Sequence, residues 1–184
     1  MELPFRAKGD EALRAGEMLA VRRRLRAIAA RHDIATVIAY AFDRRTRMLP
    51  FVFADTRMAP AGVRGVAAAL LDLGLRRTRV VLQQWNRRFD PAVMRLDGVT
   101  PDLFCVSSMS LSGAEMDRLI RRANAIEPDR RPLILAGGPR TNYEPWRVFG
   151  TDPKRPWSAD LAVTGEVYVL YALLEVLLEE KARN

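Results

Sequence analysis

Short apolar runs alternate with segments of helical periodicity along most of this chain, and this alternation restricts the possible folds more than any other feature. Runs that are apolar almost throughout and are separated by helices are typical of parallel strands in a sheet that helices cover on both faces. The sequence therefore predicts an α/β fold, with an open, doubly wound parallel sheet of about five strands. The predicted strands are TVIAYAF at 36–42, TRVVLQQW at 78–85, PDLFCVSSM at 101–109, PLILA at 132–136 and a short one within DLAVTGE at 160–166.

Local signals mark the ends of the helices that lie between these strands. Pro60 opens one helix, and Gly74 closes it from the position of a left-handed cap. Ser112 and Glu115 have the S-x-x-E spacing of a capping box at the start of the next helix. The apolar segment at 167–180 predicts a closing helix.

The N-terminal part of the chain does not follow the alternation. An amphipathic segment from residue 10 to about residue 32 predicts an extra helix that packs on the main fold. The chain is accordingly divided into a helical extension at 1–34 and an α/β domain at 35–184.

Composition limits where the protein works and what it binds. No segment approaches the roughly 20 apolar residues of a membrane span, and the N-terminus lacks the apolar core of a signal peptide, so we expect a cytoplasmic protein. The formal net charge is +8, but the arginines are spread over most segments. The one tight run, at 22–24, lies in a predicted helix with its own apolar stripe, which is typical of a solvated face and disfavours a nucleic-acid surface.

Several kinds of active site are excluded by residue type. His32 is the only histidine and lies outside the loops that follow the strands, so neither a Ser-His-Asp nor a histidine metal site can be assembled there. Cys105 is the only cysteine and lies in an apolar run, which predicts an inert buried thiol. No G-x-G-x-x-G or P-loop motif is present.

The candidate site lies where the strands end, because ligands of open α/β sheets bind beyond the carboxyl ends of the strands. Small side chains and glycines there leave backbone N–H groups accessible to phosphate, ribose or amide groups. For the two adjacent glycines, a tight turn and a ligand contact both remain open as explanations. The candidate residues are Ser107, Ser108, Ser110, Gly137, Gly138, Pro139, Gly165 and Glu166.

Four motifs in this order resemble a known family. They are MAPAGVRGVAAALLDLG at 58–74, TPDLFCVSSMS at 100–110, RPLILAGGP at 131–139 and ADLAVTGE at 159–166, which an apolar helix follows. In order and spacing they are similar to the cobalamin-binding domain found at the N-terminus of many radical SAM enzymes, a Rossmann-like or flavodoxin-like fold. The likeness covers about 36–180.

The resemblance implies that cobalamin lies on the carboxyl edge of the sheet. Its nucleotide tail would descend beside 107–110, its phosphate and ribose would approach Gly137 and Gly138, and Gly165 and Glu166 would line the neighbouring loop. The corrinoid would lack a histidine lower ligand, because the D-x-H-x-x-G motif is absent. A valine at position 138 is then expected to abolish corrinoid retention and to leave the circular dichroism unchanged.

The chain departs from the enzymes of that family in one decisive respect. It has no C-x-x-x-C-x-x-C motif to hold an iron–sulfur cluster, so it is not expected to be catalytic alone. S-adenosylmethionine and the 4Fe-4S cluster would belong to a radical SAM catalytic domain or subunit, either a partner or a downstream domain. Two alternatives stay open. One is a structural or protein-interaction domain that has lost the ligand and docks through its Trp146 and Trp157 segment; the other is an RNA-associated basic protein.

Overall fold

The fold is described from a computed structural model. It covers residues 16–43, 60–84, 86, 89–150, 157–165 and 167–183.

Five parallel strands form one sheet, as the sequence predicts. Their order is β2-β1-β3-β4-β5, the flavodoxin-like order in which the winding direction reverses between β1 and β3. The second strand is shorter than predicted, because its pairing with β1 ends at Tyr40 and Leu82. The strands are β1 (Thr36–Ala41), β2 (Thr78–Leu82), β3 (Leu103–Ser108), β4 (Leu133–Gly137) and β5 (Leu161–Ala162).

Helices cover both faces of the sheet, and each face has its own core. One core joins α1, α2 and α5 to the strand face that carries Ile38, Cys105 and Leu135. The other joins α3 to the opposite face, which carries Phe104 and Ile134. The helices are α1 (Glu17–Ala29), α2 (Ala61–Asp72), α3 (Gly113–Ala123), α4 (Pro139–Tyr143) and α5 (Val167–Arg183).

The extra helix α1 packs on the first of these cores. Its Leu25 is fully buried there, so burial of its apolar stripe holds the helix to the domain. Ion pairs fix its position: Arg22 binds Asp72 at the end of α2, and Arg24 binds Glu175 of α5.

Two of the predicted helix signals have different outcomes. Gly74 has φ +95°, and the N–H of the following Leu75 donates to the Leu70 carbonyl, which confirms the left-handed cap. The capping-box prediction is wrong. Ser112 lies in a 3₁₀ turn with ψ 18°, and its hydroxyl accepts from the backbone N–H of Asp43 instead of capping the helix.

Among the described residues, no helix is both long and apolar enough to cross a membrane.

Candidate functional site

An apolar slot opens at the carboxyl end of the sheet. It lies between the strand face of the first core and the helices α2 and α5, and its volume is about 160 Å³. We call it the rim slot. It occupies the edge where α/β sheets bind their ligands.

The register of the sheet explains why the slot is apolar. Ile38, Cys105 and Leu135 are directly opposite one another on β1, β3 and β4, so their side chains form one row, the floor row, at the bottom of the slot. Two residues further along, Ser107 is opposite Gly137. Because these two residues are small, the strands place no large side chain above the floor row, whose own side chains are at most 9% exposed.

The walls of the slot come from the starts of two helices. Val63 and Val66 on α2 face Val167 and Leu170 on α5 across the opening. Gly62, in the first turn of α2, also lines the slot, and a side chain there would meet nothing within 4 Å. Apart from the hydroxyl and main chain at the mouth, the lining that the structure describes is hydrocarbon and one thiol.

The two adjacent glycines serve different purposes. Gly138 has φ +86° and ψ −178°, a conformation that is essentially restricted to glycine, and a Cβ there would overlap the Ser107 hydroxyl. The tight-turn explanation therefore holds for Gly138 whether or not a ligand binds. The expectation that a valine here leaves the fold unchanged is wrong, because it would strain the backbone.

Gly137 is under no such constraint. Its φ is not in the left-handed region, and the nearest atom to a Cβ there would be the Val163 carbonyl oxygen at 3.6 Å, an ordinary contact. The strand alternation points that Cβ to the same face as Leu135, toward the slot. Gly137 is thus the glycine whose missing side chain keeps the slot open.

The other predicted residues do not all meet at the slot. Ser107 and Gly165 line it, and the Gly165 N–H donates to the Asn142 side-chain oxygen at 3.0 Å. Ser108 points to the opposite face, where it is buried and its hydroxyl donates to the sulfur of Met116 at 3.1 Å. The alternation of the strand separates it from Ser107.

Three predicted residues lie away from the slot or outside the described chain. Ser110 is exposed and begins the 3₁₀ turn after β3. Pro139 is exposed at the first position of α4. Glu166 lies outside the described residues.

Cys105 is the chemically distinctive group on the slot floor. It is buried, and this burial raises its pKa to about 12, so the thiol stays protonated at neutral pH. It is therefore a neutral part of the lining, as the sequence predicts.

The sequence reasoning missed the residue that anchors the rim. Arg140 is 4% exposed, and its guanidinium donates to the Gly113 carbonyl at 2.6 Å and to Asp117 at 2.6 and 3.2 Å. A side chain at Gly113 would lie 2.8 Å from the Arg140 Nε. In the sequence, this close approach is indicated only by Gly113 in the first turn of α3.

Many of the arginines that the structure describes are paired with acids. Asp72 binds both Arg22 and Arg26, and Asp90 binds Arg122. The hydrogen bond from Arg22 holds the pKa of Asp72 below its ordinary value.

The described residues form no metal centre at the slot. They contain no group of three or more histidine, cysteine or acidic side chains that could hold a metal ion. His32 precedes β1, at the amino edge of the sheet, and so lies at the end opposite the slot.

Known proteins do not identify the chain. Family models, curated proteins and solved structures yield no match. The resemblance to cobalamin-binding domains therefore depends on the four motifs, and the function must be argued from the slot.

Proposed function

We propose that this chain is a corrinoid-binding domain that acts with a radical SAM catalytic domain or subunit. The observation that carries the proposal is that Ser107 and Gly137 lie directly opposite each other on β3 and β4, above the apolar floor row. Two of the four motifs of the resemblance contain these residues, and they meet at the mouth of a slot that opens on the carboxyl edge of the described sheet.

The residues at this edge fit the nucleotide tail of a corrinoid. A cavity of about 150 Å³ is known to hold benzene, and the rim slot, at about 160 Å³, has comparable room for one ring of the base. Ser107 and the main chain of Gly137 and Gly138 would meet the ribose and phosphate at the mouth. The first turn of α2, which has no side-chain cap and begins beside the mouth, adds backbone N–H groups that favour an anion.

The chain's own residues would bind and orient the cofactor and exclude water from its tail. Burial of the base against Ile38, Leu135 and Leu170 would hold the tail by the hydrophobic effect. No lower ligand to cobalt is expected from His32, since it lies at the opposite edge of the sheet. When bound, the corrinoid would supply methyl-transfer or radical chemistry to the partner, which would hold the S-adenosylmethionine and the iron–sulfur cluster.

Reconstitution tests the proposal directly. The folded protein is incubated with hydroxocobalamin and desalted, and the absorbance of the protein fraction is recorded; we expect cobalamin to be retained. Gly137→Val should abolish retention by filling the slot, while circular dichroism and thermal unfolding stay close to those of the wild type. Gly65→Val is the matched control, because Gly65 is exposed on α2, outside the slot, and has nothing within 4 Å of a Cβ.

The results separate the possibilities clearly. A colourless protein fraction from folded wild type contradicts corrinoid binding. Retention that survives Gly137→Val contradicts the placement of the tail in the slot. Loss of retention in Gly65→Val as well as Gly137→Val would show that the effect is not specific to the slot.

A second candidate function, protein interaction without a ligand, has some support at the same rim. Tyr143 is 76% exposed and Trp146 is 63% exposed on the segment that follows β4. Trp157 does not join them, because it packs against the second core and the guanidinium of Arg121 lies 5.5 Å from its ring centroid. Under this candidate, Trp146→Ala would weaken partner binding, and no corrinoid would be retained.

A further inference from the structure

We propose that a second site, at the amino edge of the sheet, binds a small di- or polyphosphate through Arg31 and Arg76. The site is a basin of about 630 Å³ between the C-terminal ends of α1 and α2, and we call it the amino-edge basin. It lies at the end of the sheet opposite the rim slot, because β1 and β2 begin shortly after the segments that line it. The proposal is therefore independent of corrinoid binding.

Two of the arginines that line the basin have no partner. Arg31 follows α1 and Arg76 precedes β2, and both side chains are exposed. Within the described chain, neither side chain makes an ion pair or a hydrogen bond, whereas the third arginine of the lining, Arg26, binds Asp72. A ligand that both free guanidinium groups bind would join the N-terminal extension to the α/β domain.

The acids around the basin do not cancel these two charges. Two acids belong to the lining that the structure describes, and arginines already bind both of them. A third acid shares one of these arginines. Three arginines therefore balance three acids, and Arg31 and Arg76 remain in excess. The pairs are Asp72 with Arg22 and Arg26, and Asp33 and Asp97 with Arg77.

The two helix ends add little opposing charge. The negative pole of a helix resides in its last, unsatisfied carbonyl groups. Several of these carbonyls in α1 and α2 already accept from backbone N–H groups, so the free arginines dominate the field in the basin. The N–H groups and their acceptors are Arg31 to Ile28, His32 to Ala29, Gly74 to Leu71 and Leu75 to Leu70.

Phosphate groups match what the basin offers. Each guanidinium presents a planar fork of N–H donors that binds phosphate oxygens in pairs, and two such groups suit a ligand with two or more anionic groups. A phosphate group carries more charge and more acceptor oxygens than a carboxylate does. The volume of the basin lies within the range of about 300–1,000 Å³ that is usual for small-molecule sites, so it has room for a diphosphate with an organic substituent.

The amino edge favours a small phosphate ligand over a nucleic acid. A strand that continued past the basin would meet the carboxylates of Asp33 and Asp97, whose side chains are 75% and 56% exposed. Further along the described edge, acids match the arginines in number, so the excess of positive charge does not continue. These residues are Arg95, Arg130 and Arg131 with Asp102, Asp129 and Asp160.

The experiment titrates pyrophosphate into the full chain and reads binding by calorimetry and by the rise in melting temperature. We expect saturable binding to the wild type, about fivefold weaker binding to Arg31→Gln and to Arg76→Gln, and none to the double variant. Arg130→Gln is the matched control, because it removes the same charge from an exposed arginine of the amino edge outside the basin. Urea unfolding should be similar in all variants, since the replaced side chains have no partner in the described chain.

The opposing results are distinct. Neither a saturable heat nor a raised melting temperature in the wild type overturns the proposal, and so does an equal loss of affinity in Arg130→Gln. A single-stranded RNA oligonucleotide that binds more tightly than pyrophosphate, and that is weakened by Arg31→Gln, would assign the basin to a nucleic-acid surface and overturn the small ligand. Cobalamin retention should be the same in the double variant as in the wild type, so this proposal and the proposed function fail separately.

Discussion

The different roles of the two adjacent glycines lead to a quantitative prediction. Alanine at Gly138 must occupy φ +86° with ψ −178°, which costs about 1–3 kcal/mol. Its Cβ must also displace the Ser107 hydroxyl and approach the Ser108 nitrogen to 3.3 Å, and such overpacking costs about 1 kcal/mol or more. We therefore expect Gly138→Ala to lower the free energy of unfolding by about 2–4 kcal/mol.

The neighbouring glycine is the matched control for this prediction. Gly137→Ala needs no unusual φ, and its Cβ would make only a 3.6 Å contact with Val163, so stability should change by less than about 1 kcal/mol. Urea unfolding followed by circular dichroism gives both values, and in a thermal scan the Gly138 variant should melt about 4–16 °C lower.

A double variant separates the two causes. In a Ser107→Gly background, Gly138→Ala no longer overlaps a hydroxyl but keeps the backbone strain, so about 1 kcal/mol of its cost should disappear. If Gly138→Ala is as stable as Gly137→Ala, the reasoning about the turn is refuted. If the cost is unchanged in the double variant, the overlap with Ser107 is not part of it.

Three further predictions concern side chains around the rim and the helix layer. Arg140→Met should destabilise the protein by about 2–4 kcal/mol in urea unfolding, since it leaves Asp117 without its cation; a change below about 0.5 kcal/mol would show that the rim is not anchored there. Cys105 should react slowly with iodoacetamide at pH 8, and in the folded protein its reaction rate should still rise toward pH 12. In the unfolded chain the rate should level off above the ordinary thiol pKa of about 8.5. Equal pH profiles of the rate in the folded and unfolded states would contradict the burial of Cys105. Because Arg22 lowers the folded-state pKa of Asp72, the stabilisation it provides is present above about pH 4 and is lost as the pH falls below that value. In the Asp72→Asn variant, the free energy of unfolding should therefore decrease less as the pH falls below about 4. The same decrease as in the wild type would show that this ion pair does not contribute to stability.

The fold was predictable because its signals are local. Continuous apolar runs such as LFCVSS mark strands that are buried on both faces, and Gly74 marks the end of α2 from the chain alone. The capping box failed for a reason that the chain could not reveal. The hydroxyl of Ser112 is bound by the N–H of Asp43, a residue 69 positions away.

The candidate site was predictable only in part. The loops that follow β3, β4 and β5 do meet at one edge, because parallel strands place their carboxyl ends together. Within those loops, the sequence could not separate Ser107, which lines the slot, from Ser108, which binds Met116 on the opposite face. That distinction depends on which face of β3 each core covers.

The sequence by itself determined that this protein is a wound parallel sheet with small residues at the ends of its strands, because periodicity and turn residues act over a few neighbours. Only the tertiary structure decided that the Ile38, Cys105 and Leu135 side chains align into one floor. It also decided that Gly137 places no side chain above this floor, whereas Gly138 serves the turn. Register and the packing of α2 and α5 are set by contacts between distant segments, and they turn a stretch of small residues into a slot of defined size.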